Sequence, residues 1–519
     1  MKKIYSILII TLAVAVTTVS CSKDALETSP TTAVSGDGLF TNATAAMVPL
    51  NGIYRSMYTA GWSTTGNTHQ CFGITAYNLM ADVMGEDHIM SGQGSGWFWY
   101  DCTYNVKQRY TSGAWRSYDL WSAYYKWVAN ANYIIAAEET MEGLPSDVNY
   151  VIGAGYVIRA YSYFMLIQSF ARTYKGHESD PGVPLYTEPS AAGTEGQPRA
   201  TVQQVYDQIV ADIEKGVALL KDAKPQMHKS HIDYYVAQGI AARIYLTMEN
   251  WSKARDAAAE ARKNSSIGDK ADLTAGMNSR TPKNVMWGAE IIADQSGIYA
   301  SFLMHMDCKS PGYGNTAFKQ INKQLYAKMG PNDVRTDWWD PTHPNNITDK
   351  GVELGYQQLK FRWLDKSLYT GDYIWMRNEE MLLTQAEAEC RLGNDQAARD
   401  LLMQLMAKRD PDYTVNKSGT ALGALTSDET GSLLEEILIQ RRIELWGEYG
   451  RIYDIRRLKQ GFTRTGTDGM GWPTAALITG RNTQNPESYA WVLTIPQAEF
   501  DGNKNLDQSV DQNPMDDGV

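Results

Sequence analysis

Two stretches, 234–262 and 377–408, each read as a pair of helices joined by a tight turn, and this limits the chain to a mostly α architecture. In the first, Ala237, Ala241, Ala242, Tyr245 and Leu246 share one helical face. The turn Glu249-Asn250-Trp251 follows, and Ala254, Ala257, Ala258 and Ala261 face back from the second helix. In the other, Leu382, Leu383, Ala386 and Ala388 precede the turn Leu392-Gly393-Asn394, and Ala397, Ala398, Leu401, Leu402 and Leu405 come after it. Small alanines beside the turn let the two helices approach closely.

The unit resembles the tetratricopeptide helix–turn–helix, but the copies keep no fixed 34-residue period. Long insertions separate them, so the expectation is four dispersed helix pairs rather than a regular array. Further helices are expected over 118–140 (Trp121, Tyr125, Val128, Asn132, Ile135), over 149–170 (Tyr156, Arg159, Ala160, Tyr163, Phe164, Ile167) and over 201–220. Thr201 is placed to cap the last of these. The segments 61–115, 171–200, 265–375, 410–430 and 460–519 read as irregular, rich in Gly, Asn, Asp, Trp and Tyr. Short strands are expected at 284–292 and 489–495. Trp287, Trp338 and Trp339 read as core.

The N-terminus has the layout of an export signal. Lys2 and Lys3 precede an apolar run from Ile7 to Val16, too short to span a bilayer, and Thr17-Thr18-Val19-Ser20-Cys21 follows. A cysteine at the cleavage point marks residues 1–20 as a lipoprotein signal peptide and Cys21 as the acylated new N-terminus, although Thr18 stands where Leu is usual. Polar Ser22-Lys23-Asp24 would form the start of a tether. No later stretch approaches 18 consecutive apolar residues, so no further span is expected. The net charge of −11, without a basic cluster, argues against nucleic acid as a partner. Cys71, Cys102, Cys308 and Cys390 are too sparse for a disulfide framework. Cys71 and Cys102 flank one loop-rich segment and are either a pair or two separate small buried residues.

Catalytic patterns are missing from the sequence. It has no HExxH, no GxSxG and no Walker motif, and Gly92, Gly94 and Gly96 lack the spacing of a dinucleotide loop. His228 and His231 have no acidic third ligand nearby and read as an exposed polar helix start, so neither a metal nor another cofactor is expected. Two carboxylates suffice for a glycosidase, and 59 acids offer many pairs. Arg441, Glu444, Glu448, Arg451, Asp454 and Arg457 recur at helical spacing and read as a structural ion-pair ladder along one helix.

Seven motifs in order suggest a family. Asn51-Gly52-Ile53-Tyr54 opens the series, followed by Trp121…Tyr125…Asn132 and by Arg159-Ala160-x-x-Tyr163-Phe164-x-Leu166. Gly182-Val183-Pro184-Leu185 leads to Arg199-Ala200-Thr201-Val202. Next come Arg377-x-x-Glu380-x-x-Leu383-x-x-Ala386-Glu387-Ala388 and Arg441-Arg442-x-Glu444-Leu445…Glu448…Arg451…Asp454-x-x-Arg457. Ile495-Pro496…Glu499 and Gln512-Asn513-Pro514 close it. Nearly end to end, the chain resembles the SusD/RagB family of outer-membrane nutrient-binding lipoproteins. It departs from the family pattern at Gln440, where Glu is usual, and at Tyr449, where Gly is usual.

The resemblance implies a single SusD-like domain over 21–519, with an N-terminal part over about 22–225 and a C-terminal RagB/SusD part over about 275–519. It also implies binding without hydrolysis at the cell surface of the outer membrane. The partner would be a SusC-like TonB-dependent transporter and the ligand an oligosaccharide or polysaccharide, with a peptide as the alternative cargo. A sugar stacks its C–H face on Trp or Tyr and needs fixed polar groups for its hydroxyls. Two loop segments supply both, 82–105 and 295–315, the general regions from which the family draws its sugar-stacking rings. Trp97, Trp99, Tyr100, Asp87 and Asn105 in the first, with Tyr299, His305 and Tyr313 in the second, are the candidate ligand contacts. Trp97 and Trp99 would face the same way if their segment were extended.

Overall fold

The computed structural model describes residues 38–60, 67–105, 111–191, 193–224, 228–341, 355–466, 469–478 and 481–514. The expected signal segment 1–20 and Cys21 lie outside the described residues. The framework is helical: α1 (Ala43–Ser56), α2 (Ile74–Val83), α3 (Trp115–Ala136), α4 (Pro145–Phe170), α5 (Val202–Lys221) and α6 (Tyr234–Thr247). It continues as α7 (Trp251–Ala261), α8 (Asn378–Arg391), α9 (Asp395–Met406), α10 (Leu433–Glu444) and α11 (Arg451–Arg457). From α3 to α9 each helix packs on its predecessor in the chain, so the dispersed pairs form one continuous layer.

Local chemistry sets these boundaries. Thr201 caps α5 in a reciprocal box, its hydroxyl accepting from Gln204 N–H while Gln204 Oε1 accepts from Thr201 N–H. Asp233, Asn250 and Ser432 cap α6, α7 and α10. At the α8–α9 turn Gly393 takes φ +80°, and the following N–H of Asn394 bonds back to Glu389 O. The centre is α4, buried from Tyr150 to Phe170 except at Tyr156. It is long and apolar enough to cross a membrane, but here α1, α3 and α5 surround it. Gly153 and Gly216 let α4 and α5 meet closely: a Cβ on Gly216 would lie 2.6 Å from Val157 Cγ2.

The quoted motifs are fasteners of this scaffold. Arg159 forks onto Asp212 at 2.7 and 2.8 Å and also donates to Asn132. Trp121 Nε1 donates to Glu499, and Tyr125 donates to Pro184 O. Asn513 Nδ2 donates to Phe170 O and Leu493 O, tying the C-terminal segment to the end of α4. Trp287, Trp338 and Trp339 are core, as expected.

Several expectations need correction. The 61–115 segment contains α2, buried on every side, so its apolar run shows no period. Residues 489–495 form a single 3₁₀ turn, Tyr489–Trp491, and an extension outside the named strands, held by Leu493 N–H to Ser169 O and by Ile495 N–H to Gln512 Oε1. His231 is buried rather than exposed, with Nε2 2.8 Å from Asn51 Oδ1. Cys71, Cys102, Cys308 and Cys390 are free and buried, and burial raises each thiol pKa. The charged series does not run along one helix. Gly447 and Gly450, both at positive φ, break α10 from α11; Asp454 still joins Arg441 and Arg457 within the series, while Glu444, Glu448 and Arg451 pair with Arg409, Arg377 and Glu86 on other elements. At the two family departures, Gln440 accepts from Arg335 at 2.6 Å and Tyr449 lies 4.3 Å beneath the Arg243 guanidinium.

Short strands position the loops. β1 (His88–Met90), β5 (Lys319–Ile321), β7 (Gln357–Gln358) and β6 (Trp339–Asp340) form one antiparallel sheet in that order. Two strand pairs stand apart, β2 (Pro181–Pro184) with β3 (Arg199–Thr201) and β4 (Val285–Ala289) with β8 (Tyr373–Arg377). Met90 opposes Lys319, and Ser91 N–H donates to Phe318 O. The chain leaving β1 and the chain entering β5 therefore emerge at one end of the sheet, which brings the two candidate loop segments together.

Candidate functional site

Three short turns, Thr68–Gln70, Phe302–Met306 and Tyr313–Thr316, carry His69, His305 and Tyr313 at this end, and the loops before Phe98 and Phe302 carry Trp97 and Tyr299. His69 is the hub. Its ring centroid lies 5.0 Å from Trp97, 5.7 Å from Tyr313 and 5.9 Å from Tyr299, which it faces at 18°. Tyr313 hydrogen-bonds His69 Nδ1 at 2.7 Å and meets Trp97 edge-on at 6.0 Å. Tyr299 is 56% exposed, while His69, Trp97 and Tyr313 are half-buried.

A second layer holds the rings in place. His305 is fully buried, stacks under Tyr313 at 5.0 Å and donates Nε2–H to His69 O at 2.6 Å. Burial holds the His305 imidazole well below its usual pKa, so it supports the site as a neutral ring. Burial also lowers the His69 pKa and raises that of the Tyr313 hydroxyl. Asp307 accepts from the N–H groups of Lys309, Ser310 and Trp363, fixing the loop that leads to Tyr313. Gly94, at φ +51°, would place a Cβ 2.9 Å from Ala317, so the 92–96 loop lies directly against the Tyr313 turn.

Of the eight candidate contacts, Trp97, Tyr299 and Tyr313 come together around His69. Tyr100 is half-buried, accepts from Gln93 at 3.3 Å and adjoins the same loop. Asn105 is half-buried at the end of that segment. Three candidates are corrected. Trp99 does not share a face with Trp97: Phe98 takes φ +61°, the chain turns into a short helix, and Trp99 points into the core with 7% exposure. Asp87 is buried and paired with Arg442 at 2.7 Å and Arg451 at 3.0 Å, so its oxygens are already taken. His305 lies beneath the surface rather than on it. His69 was not a candidate, because nothing periodic surrounds it in sequence and only the fold brings it to Trp97.

A separate cavity of about 460 Å³ lies between residues 322–328, the 422–429 loop and α10. Leu325, Leu438, Ile439 and Met470 line it together with Lys328, Glu429 and Arg442, and no aromatic ring faces it. Among the described residues no group of three or more His, Cys, Asp or Glu could hold a metal.

Comparison with known proteins gives two family matches that together run through most of the chain. Residues 76–246 match a model described as starch-binding, associating with the outer membrane, and residues 227–515 match the SusD family model. A curated relative, SusD-like protein P2 of Formosa agariphila, is 22% identical over 75% of this chain and 79% of its own length. Among solved structures, a SusD-like carbohydrate binding protein from Bacteroides vulgatus matches with TM-score 0.74 at 24% identity, covering 90% of this chain and 98% of that one. Surface glycan-binding protein A from Bacteroides thetaiotaomicron, solved in complex with laminarihexaose, matches with TM-score 0.65 at 15% identity, over 91% of this chain and all of that one.

Proposed function

The chain belongs to the SusD family, and from that premise we propose that it is a surface lipoprotein that binds glycan on the His69 aromatic surface. The carrying observation is Tyr299, an exposed ring stacked on His69 with Trp97 and Tyr313 beside it. Such rings offer a sugar the faces it stacks on, and the His69–Tyr313 pair offers fixed polar atoms to its hydroxyls. The name of the relative solved with laminarihexaose supports the same reading. Captured oligosaccharide would pass to a TonB-dependent outer-membrane transporter, and the protein would act by binding without bond cleavage.

A glycan array followed by calorimetry tests the reading. Tyr299→Ala should weaken glycan binding by about 1–2 kcal/mol, roughly tenfold, with an unchanged thermal midpoint because the ring is exposed. Tight binding of peptides with no response to any glycan would overturn it. The anchor is tested separately. Cys21→Ser should move the protein from the membrane fraction to the soluble fraction and leave calorimetric glycan affinity intact; continued membrane retention would refute acylation at Cys21.

A further inference from the structure

Gln70 joins the two halves of the aromatic surface. Its side chain is buried, and Oε1 accepts the Phe98 N–H at 2.6 Å. That N–H belongs to the peptide directly after Trp97, at a residue held in the left-handed region at φ +61°. Gln70 itself follows His69 on the Thr68–Gln70 turn. A single amide oxygen therefore links the backbone that presents Trp97 to the backbone that presents His69. Arg116 locks the link from below. Its Nη1 donates to Gln70 O at 3.0 Å and its Nη2 to Gln70 Oε1 at 3.3 Å. Its remaining donors fork onto buried Asp101, at 3.1 and 2.7 Å, within the short helix that follows Phe98. On the other side, His305 holds the His69 carbonyl.

We propose that Gln70 is the positioning residue of the glycan site: it touches no ligand, and it sets the Trp97 ring against the His69 ring. The proposal rests on the reading that glycan binds the aromatic surface. What the position needs is an acceptor oxygen. Methionine matches the glutamine in length and offers none to the Phe98 N–H. Glutamate keeps an acceptor, whether or not it is ionised, and faces Arg116.

The test compares the full-length Gln70→Met, Gln70→Glu and Trp97→Ala proteins. Crystal structures read the distance between the Trp97 and His69 rings, and calorimetry with a panel of hexaoses, laminarihexaose included, reads affinity. Gln70→Met should displace Trp97 from its 5.0 Å contact and weaken hexaose binding by about tenfold, while the protein still unfolds cooperatively. Gln70→Glu should restore both ring geometry and affinity. A Gln70→Met protein with the rings in place and affinity unchanged would overturn the proposal, as would one in which only the thermal midpoint falls. If Gln70→Met displaces Trp97 while Trp97→Ala leaves hexaose binding unaltered, the positioning role stands and the glycan reading fails.

Discussion

Arg377→Met should destabilise the protein by about 3–5 kcal/mol, read as a lower urea midpoint, because it breaks a buried charge network from the inside. Arg377 sits at the end of β8 and donates to Glu448 at 2.7 and 2.8 Å and to Glu444 at 3.2 Å, with Glu379 at 2.9 Å. Arg409 reaches Glu444 and Glu379, Arg335 reaches Asp333 and Glu444, and Lys360 reaches Glu448. Four cations thus face the four carboxylates Asp333, Glu379, Glu444 and Glu448, all buried or nearly so. Removing one cation leaves a carboxylate desolvated and uncompensated, which costs far more than an exposed ion pair contributes.

The pH dependence gives the sign. Burial alone would raise the Glu444 and Glu448 carboxyls. The guanidiniums of Arg409 and Arg377 at Glu444, and Arg377 with Lys360 at Glu448, more than offset it and hold both below the usual 4.5. Folded values below unfolded ones mean that their stabilisation is complete above about pH 4.5 and is lost as the pH falls through the folded values. In Arg377→Met the burial effect is no longer fully opposed, so Glu448 takes up its proton more readily. The deficit relative to the parent protein should therefore shrink as the pH falls below about 4.5, where the parent loses this stabilisation. A deficit that stays constant across that range would contradict the charge argument and leave only lost packing.

The two tryptophans on either side of Phe98 should separate cleanly. Trp97→Ala is expected to lower glycan affinity by about 2 kcal/mol or more, some thirtyfold, with a modest change in stability. Trp99→Ala should do the reverse, costing about 3–5 kcal/mol of stability through the cavity it leaves while the affinity of the folded fraction stays near normal. The cause is a single backbone angle. In an extended segment residues two apart share a face, but φ +61° at Phe98 redirects the chain and sends Trp99 inward. Calorimetry and thermal unfolding on both variants would read the contrast. Equal affinity losses without instability would mean that both rings reach the ligand.

The helical framework was legible because helical spacing is local. The faces of α3, α4 and α5, the caps, and both alanine-rich pairs follow from residues three or four apart. α2 was missed because a helix covered on all sides has no polar face to mark its period. The site was legible only in part. Trp97, Tyr299 and Tyr313 were chosen by chemistry, but their meeting depends on β1 and β5, strands of three residues each, too short to show an alternating pattern. His69 is brought to Trp97 by the Gln70–Phe98 hydrogen bond, a contact that sequence spacing does not show. Asp87 shows the opposite error: its chemistry suits a hydroxyl, yet Arg442 and Arg451 arrive from more than 350 residues away to occupy it. The seven motifs that suggested the family are scaffold fasteners, and for that reason they describe the frame better than the loops it carries.

The four buried thiols have a practical consequence for watching ligand arrive. With Cys21 acylated or replaced, every remaining thiol sits inside the fold with its ionisation suppressed by burial, so the native protein offers no ready thiolate to an alkylating dye. One cysteine introduced at exposed Gln93, on the loop that leads to Trp97, becomes the sole addressable handle. A fluorophore placed there on the purified protein should change its emission when ligand fills the rings, and an emission that no glycan moves would count against occupancy of that surface.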